Sequence, residues 1–319
     1  MSEQDIYQFD SAIRKLLDEI TNEKGSIKIV HNGQHHSLRS FLPQQGDQHI
    51  ESISIEGLKP DADPVLIHYI LGWLYARMKA LNKAIAEFGE ALTYTPSYTD
   101  AYIQRAALYA VLRKYEEALM NYTRAIELAP ERAEIYNDRG IGYKTLGNYK
   151  PALADYTMAI KLAPHLSAPF YCRAILHSDL GKYEQSIADY DEAIRRNTLY
   201  VEAYVNRGLD YLHLGQYQEA ISNCTEAIRL RPNFSFPYWN RGRAYAKLHD
   251  YEHALTDLNK AIELSSEEAG IYWDRANVYI AVQAYSLALK DYDRVILHQH
   301  SFARGYYNRG YAYKIPGNV

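Results

Sequence analysis

From Val65 onward, apolar residues recur three and four positions apart, and the whole pattern returns after 34 residues. Pro96, Pro130 and Pro164 mark the period, and Pro232 lies two periods beyond Pro164. Repeats counted from Val65 begin at Val65, Thr99, Ala133, Ser167, Val201, Ser235, Ala269 and Ala303, giving seven full repeats and half of an eighth. Position four reads His68, Tyr102, Tyr136, Phe170, Tyr204, Tyr238, Tyr272, Tyr306. Position eight is always small, as at Gly72, Ala106, Gly140 and Ala174, and position eleven carries Tyr75, Tyr109, Tyr143, His177 and their counterparts. Spacings of four and three place these on one helix face. A second face follows at positions 17, 20, 24 and 27, as in Tyr115, Ala118, Tyr122, Ala125. Each repeat therefore predicts a helix hairpin in which small residues let two backbones approach and large rings fill the remaining volume.

Before the array the rhythm differs. Ile6, Phe9, Ile13, Leu16 and Ile20 predict an amphipathic helix over about residues 5 to 24, ended near Gly25. Ile27 to Val30, Asn32-Gly33 and His35 to Arg39 predict a hairpin with a tight turn, and Ile50 to Ile55 alternates like a third strand. Residues 1–64 are thus expected to form a small α+β module and its linker, which caps the array of residues 65–319 or, in the competing reading, binds a partner.

The 34-residue pattern resembles the tetratricopeptide repeat (TPR) family. That resemblance implies an all-α superhelical solenoid of helix-turn-helix repeats, here with a small N-terminal α+β module. It also implies a concave groove, lined by the first helix of each repeat, that holds an extended or helical peptide. Thr198, Ser266 and His300 replace the closing Pro, and Cys224 and Leu258 depart at position 24. Pro151, Pro169 and Pro237 fall in first helical turns, where a missing N–H costs little.

Composition narrows the function. A net charge of −4 gives no global field for phosphate backbones or anionic lipid, so neither nucleic acid nor membrane is the expected partner. No apolar run approaches the ~20 residues needed to cross a bilayer. The start MSEQDIYQFD has no signal-like region, and the two cysteines cannot form a disulfide framework, which predicts a reduced, cytoplasmic setting. Tyrosine is in large excess, 31 residues against 7 Phe and 3 Trp, because most of it fills the four ring positions of the hairpins. His31, His35, His36 and His49 crowd together without a cysteine, and His35 and His36 point to opposite faces of a strand, so no metal site is expected. No motif assembles a nucleophile, a phosphate loop or an isolated carboxylate pair, so neither catalysis nor a cofactor is expected.

Two columns remain. Position seven is Arg in every repeat from the second (Arg105, Arg139, Arg173, Arg207, Arg241, Arg275, Arg309), and position 23 is Glu87, Asn121, Asp155, Asp189, Asn223, Asp257, Asp291. Seven arginines starting one repeat late and seven acceptors ending one repeat early predict a clamp in which each Arg reaches back to position 23 of the preceding repeat. The alternative is an anion ladder, which leaves the acceptor column unexplained.

Within the groove that the family resemblance implies, position six is short and polar (Gln104, Asp138, Asn206, Asn240, Asp274, Asn308) except for Cys172. It is similar to the asparagine ladder of long superhelical TPR proteins such as the O-GlcNAc transferases. Position five adds Tyr171, Trp239, Trp273 and Tyr307. These rings either pack on the neighbouring repeat or anchor a peptide. Other rings already fill the core, which favours recognition by Tyr171, Asn206, Trp239, Asn240, Trp273, Asp274, Tyr307 and Asn308. The Lys-and-Asn carboxylate clamp of chaperone-binding TPR domains is absent. The expected function is a non-enzymatic scaffold for a protein or peptide partner. The competing reading is a regulatory or substrate-recruiting part of an enzyme whose catalytic portion lies elsewhere, suggested by an eighth repeat that stops after one helix at Lys314-Ile-Pro-Gly-Asn-Val319.

Overall fold

The computed structural model describes residues 21–31, 34–37, 50–298 and 303–314, together with Lys15, Leu16 and Glu19. Three strands come first, β1 (Thr21–His31), β2 (Gln34–Ser37) and β3 (Ile50–Leu58). The helices that follow come in hairpin pairs: α1 (Pro64–Arg77) with α2 (Leu81–Tyr94), α3 (Thr99–Val111) with α4 (Tyr115–Leu128), and α5 (Ala133–Thr145) with α6 (Tyr149–Leu162). Next are α7 (Ala168–Asp179) with α8 (Tyr183–Arg196), α9 (Val201–His213) with α10 (Tyr217–Leu230), and α11 (Ser235–Lys247) with α12 (Tyr251–Leu264). α13 (Ala269–Ala281) pairs with α14 (Tyr285–His298), and α15 (Ala303–Lys314) begins the eighth repeat. Among the described residues no strand follows Leu58, and the helices keep the 34-residue register. The chain forms two compact units, Met1–Pro164 and His165–Val319.

In the first unit the strands form an antiparallel sheet of order β2-β1-β3. Val30 faces His35 and His31 faces Gln34, which leaves the two-residue connection expected of a tight hairpin, although Asn32-Gly33 themselves lie outside the described residues. The expected N-terminal helix needs correction. Lys15, Leu16 and Glu19 are helical, but the chain has become a strand by Thr21, which pairs with Leu58. Between Thr21 and Ser26 the register shifts, so Gly25 lies in an irregular stretch of β1 and ends no helix. Residues 5–14, 17, 18 and 20 of the expected helix lie outside the described residues. β3 packs on α1: Ile53 joins the buried cluster of Tyr69, Ile70, Trp73, Leu74 and Phe88, and its N–H donates to the Tyr75 hydroxyl at 3.1 Å.

Within the hairpins the small residue at position eight faces position 24, which is large in every full repeat but the fifth, where Cys224 stands. A Cβ on Gly140 would stand 2.7 Å from the Tyr156 ring. The hairpin bend is equally regular. In every full repeat the N–H of position 16 returns to the carbonyl of position eleven, from Ala80 to Tyr75 at 2.9 Å through Ala284 to Tyr279 at 2.8 Å. This terminating bond requires a left-handed residue at position 15. Glycine supplies it at Gly147, Gly181 and Gly215, whereas Lys79, Arg113, His249 and Gln283 adopt φ near +60° with a side chain present. Gln283→Gly is therefore expected to raise stability by about 1 kcal/mol, read as a higher urea midpoint with an unchanged slope.

Candidate protein-binding face and the joints between repeats

Column seven is a two-pronged clamp, and its direction corrects the sequence expectation. Each arginine of repeats two to seven binds position 23 of its own repeat, across the hairpin. Arg139 Nε and Nη2 donate to Asp155 at 2.8 Å each, and Arg241 donates to Asp257 at 2.7 and 2.8 Å. Arg173 and Arg275 bind Asp189 and Asp291 in the same bidentate way. Where the acceptor is an amide, Arg105 Nε donates to Asn121 at 2.8 Å and Arg207 Nε to Asn223 at 2.7 Å. The reach to the preceding repeat exists but ends two positions later, at position 25. Arg139 Nη1 donates to Thr123, Arg241 Nη1 to Thr225, Arg275 Nη1 to Asn259 and Arg309 Nη1 to Asp293, at 2.6 to 3.2 Å, while Arg207 pairs with Asp191. Arg105 meets Gly89 at that place, which offers no acceptor. Tyrosines three positions before and four positions after complete the cage in most repeats. The Arg275 guanidinium lies 5.6 and 5.7 Å from the ring centres of Tyr272 and Tyr279. The tyrosine excess therefore serves the clamp as well as the core.

Repeat one lacks the arginine and has Leu71 in its place. There His68 Nδ1 and Glu87 Oε2 meet at 2.7 Å across the hairpin instead.

On the other edge of the first helices, position five of one repeat meets position six of the next. In the second unit Asn206 Nδ2 donates to the Tyr171 hydroxyl at 3.2 Å. The Trp239 indole N–H donates to Asp274 at 2.7 Å, and the ring lies so close to the next repeat that a Cβ on Gly270 would stand 2.5 Å from it. The Trp273 ring packs at 5.6 Å against Tyr292, whose hydroxyl donates to Asn277 Oδ1 at 2.9 Å and lies within hydrogen-bonding reach of Asn308. Asn240 is 4% exposed, with Arg243 as its hydrogen-bond neighbour at 3.5 Å. Tyr307 alone of the eight residues stands well into solvent, at 74% exposure. At two joints the polar residue at position six thus holds the ring at position five in place, Asn206 on Tyr171 and Asp274 on Trp239. Burial raises the proton affinity of Asp274, opposed by the Trp239 bond and the charges of Arg243 and Lys247. Asp210 at position ten, 1% exposed and accepting from Ser178 of the preceding repeat at 2.6 Å, was invisible to column reading because no other repeat has a polar group there.

Elsewhere little chemistry assembles. Among the described residues no three His, Cys, Asp or Glu are placed to hold a metal. His31, His35 and His36 lie on β1 and β2, and His49 lies outside the described residues. Burial pushes the Cys224 thiol up to about 12 and removes its nucleophilicity. No helix among the described residues is long and apolar enough to cross a membrane.

Stacked helix hairpins, a small-to-large contact inside each hairpin and a periodic joint between hairpins define a helical repeat protein. Its family follows from sequence profiles. Tetratricopeptide repeat profiles match residues 66–98, 99–132, 133–166, 171–198 and 201–234, and a TPR repeat profile matches 242–283. The chain belongs to the tetratricopeptide repeat family, whose repeats generally mediate protein–protein interaction. No curated protein matches it in sequence. Among solved structures it is similar to a tetratricopeptide repeat protein from Parabacteroides merdae, with a TM-score of 0.61 at 20% identity over 78% of this chain and 98% of that one. It is also similar to a chain of the APC/C hetero-tetramer Cut9-Hcn1, with a TM-score of 0.61 at 17% identity over 77% of this chain. The chain spans about half of that relative, 49% of its length. At these identities the likeness is one of fold.

Two outcomes are expected of the joints. Arg241→Leu strands Asp257, 4% exposed, without its counter-charge, and is expected to cost about 3 kcal/mol. Arg241→Leu with Asp257→Leu is expected to recover most of that loss, since a packed apolar pair replaces a buried ion pair at little cost. Urea melts of the two singles and the double give the coupling, and additive losses would show that the clamp carries none. The second outcome concerns Asp138, whose carboxyl is raised to about 6, first by burial and then by Glu134. Below its unfolded value near 3.8 the group is protonated in both states and costs nothing. Stability then falls as pH rises from there to about 6, where the folded carboxyl ionises. Asp138→Asn is therefore expected to stabilise the fold by about 1–2 kcal/mol at neutral pH, after allowance for screening of a half-buried group, and to be neutral near pH 4.

Proposed function

We propose that the protein is a non-enzymatic scaffold that holds an extended protein segment along the face of the first helices carrying positions two, five, nine and thirteen. The observation that carries this reading is the set of large apolar side chains left in solvent on that face: Val111 and Ile141 in the first unit, Phe236 and Tyr307 in the second. Beside them stand rings already fixed in one rotamer. Trp239 is tied by Asp274, packed on Gly270 and flanked by Phe236 at 6.0 Å, so a partner that covers its exposed edge loses little side-chain entropy. Tyr171, Trp239, Trp273 and Tyr307 are the anchors in this reading, and Asn206, Asn240, Asp274 and Asn308 act mainly by holding the joints and rings. The β-sheet of residues 21–58 serves as a cap, because Ile53 covers the apolar side of the first hairpin.

The test places a photo-crosslinking residue at position nine of the fourth, fifth and seventh repeats (Ile175, Leu209, Asn277) and, separately, at Glu184 and Glu219 on second helices. Adducts with one contiguous partner segment are expected at the first set, and adducts confined to the second set would overturn the reading. Tyr307→Ala is expected to weaken the captured segment about tenfold with an unchanged melt, since the ring is exposed and supports little packing.

A further inference from the structure

Two carboxylates occupy position six, Asp138 in the third repeat and Asp274 in the seventh, and the second shows what the first lacks. Asp274 receives the Trp239 indole N–H at 2.7 Å, has the Arg243 guanidinium at 3.6 Å and lies in the field of Lys247. These residues occupy positions five, nine and thirteen of the preceding repeat. In front of Asp138 the same three positions are Ile103, Ala107 and Val111. Among the described residues no Lys or Arg forms an ion pair with Asp138. Its one hydrogen bond is from Asn137 Nδ2 at 3.3 Å. That bond fixes the amide so that Asn137 Oδ1, an atom buried from solvent, has no donor. The titratable groups whose fields couple to Asp138 are Glu134 on its own helix and Tyr122 on α4, and neither carries positive charge.

We propose that the joint between the second and third repeats is a subsite for a basic side chain, Lys or Arg, of the protein segment bound on the first-helix face. The inference rests on the segment-binding reading above. Ile103, Ala107 and Val111 lie four residues apart along α3 and make an apolar stripe that runs from the buried Ile103 out to Val111 at 67% exposure. Ile141, 43% exposed, lies one turn beyond Asp138 on α5. An aliphatic stem lies along such a stripe while its cationic head reaches the carboxylate. The incoming side chain thus supplies both things that Trp239 and Arg243 give Asp274, N–H donors and positive charge. The raised proton affinity of Asp138 agrees with a half-buried acid held without its counter-ion.

The test follows the isoleucine methyl signals of the full chain by NMR during titration with N-acetyl-arginine methylamide, against N-acetyl-norleucine methylamide as the apolar control. At neutral pH the arginine probe is expected to shift the Ile103 and Ile141 methyls saturably, with half-saturation at least about tenfold below that of norleucine. Asp138→Asn, which keeps the shape and removes the charge, is expected to abolish the preference. Ala107→Arg, which installs the counterpart of Arg243, is expected to close the subsite. The preference is also expected to fade as pH falls below the Asp138 value of about 6. An equal response to both probes, a preference that survives Asp138→Asn, or no saturable shift would each overturn the proposal. Loss of the preference with the first-helix crosslinks intact removes the subsite alone. Missing crosslinks with the preference intact remove the segment-binding reading and leave a cation site.

Discussion

The guanidinium at position seven organises this protein. In a hairpin array every repeat must fix two things, the packing of its own helices and its seat on the repeat before, and one planar fork does both. Nε and Nη2 close the hairpin on an acceptor that is nearly buried, and Nη1 reaches back to the preceding second helix. Arginine suits the task because its donors point in fixed directions within one plane and its charge cannot be removed by burial. A lysine would satisfy one prong at a time. The flanking tyrosines follow from the same choice, since their faces receive a weakly hydrated cation.

The two edges of the first helices divide the work. The clamp edge is chemically uniform from the second repeat onward. The opposite edge changes from joint to joint, with Tyr171 on Asn206, Trp239 on Asp274, and aliphatic Ile103 before Asp138. Stability is thereby secured by groups that need not vary, which leaves positions five, six, nine and thirteen open to follow a ligand.

Much of the fold was legible in the sequence because a 34-residue recurrence repeats each error-prone local signal seven times, so that even the non-glycine turns at Arg113 and His249 could not disguise the hairpins. The partner of each arginine was misread for a reason built into periodicity. A column of acceptors looks the same whether position 23 belongs to the same repeat or to its predecessor, and only the three-dimensional closure of the hairpin decides. Position 25 held the missing signal: Gly89 is followed by Thr123, Thr157, Asp191, Thr225, Asn259 and Asp293, polar from the second repeat on. The ring-to-polar joints escaped because they connect different columns, five with six, across 35 residues. Near the N-terminus a single helical stretch had no repetition to support it, and pairing of Thr21 with Leu58 took its end into the sheet.

The uniform clamp makes repeats interchangeable, and the variable joint makes their order matter. Were the sixth repeat duplicated in place, Arg241 of the copy would still find Thr225's equivalent behind it, so the fork tolerates duplication and loss of whole repeats. Trp239 does not. Before a second copy of its own repeat it would meet Phe236 where Gly270 now gives it room, and the neutral amide of Asn240 where the carboxylate of Asp274 now accepts the indole N–H bond. The array can thus have lengthened by copying modules at the clamp, while steric mismatch and a weaker acceptor along the other edge now hold such a module in its place in line.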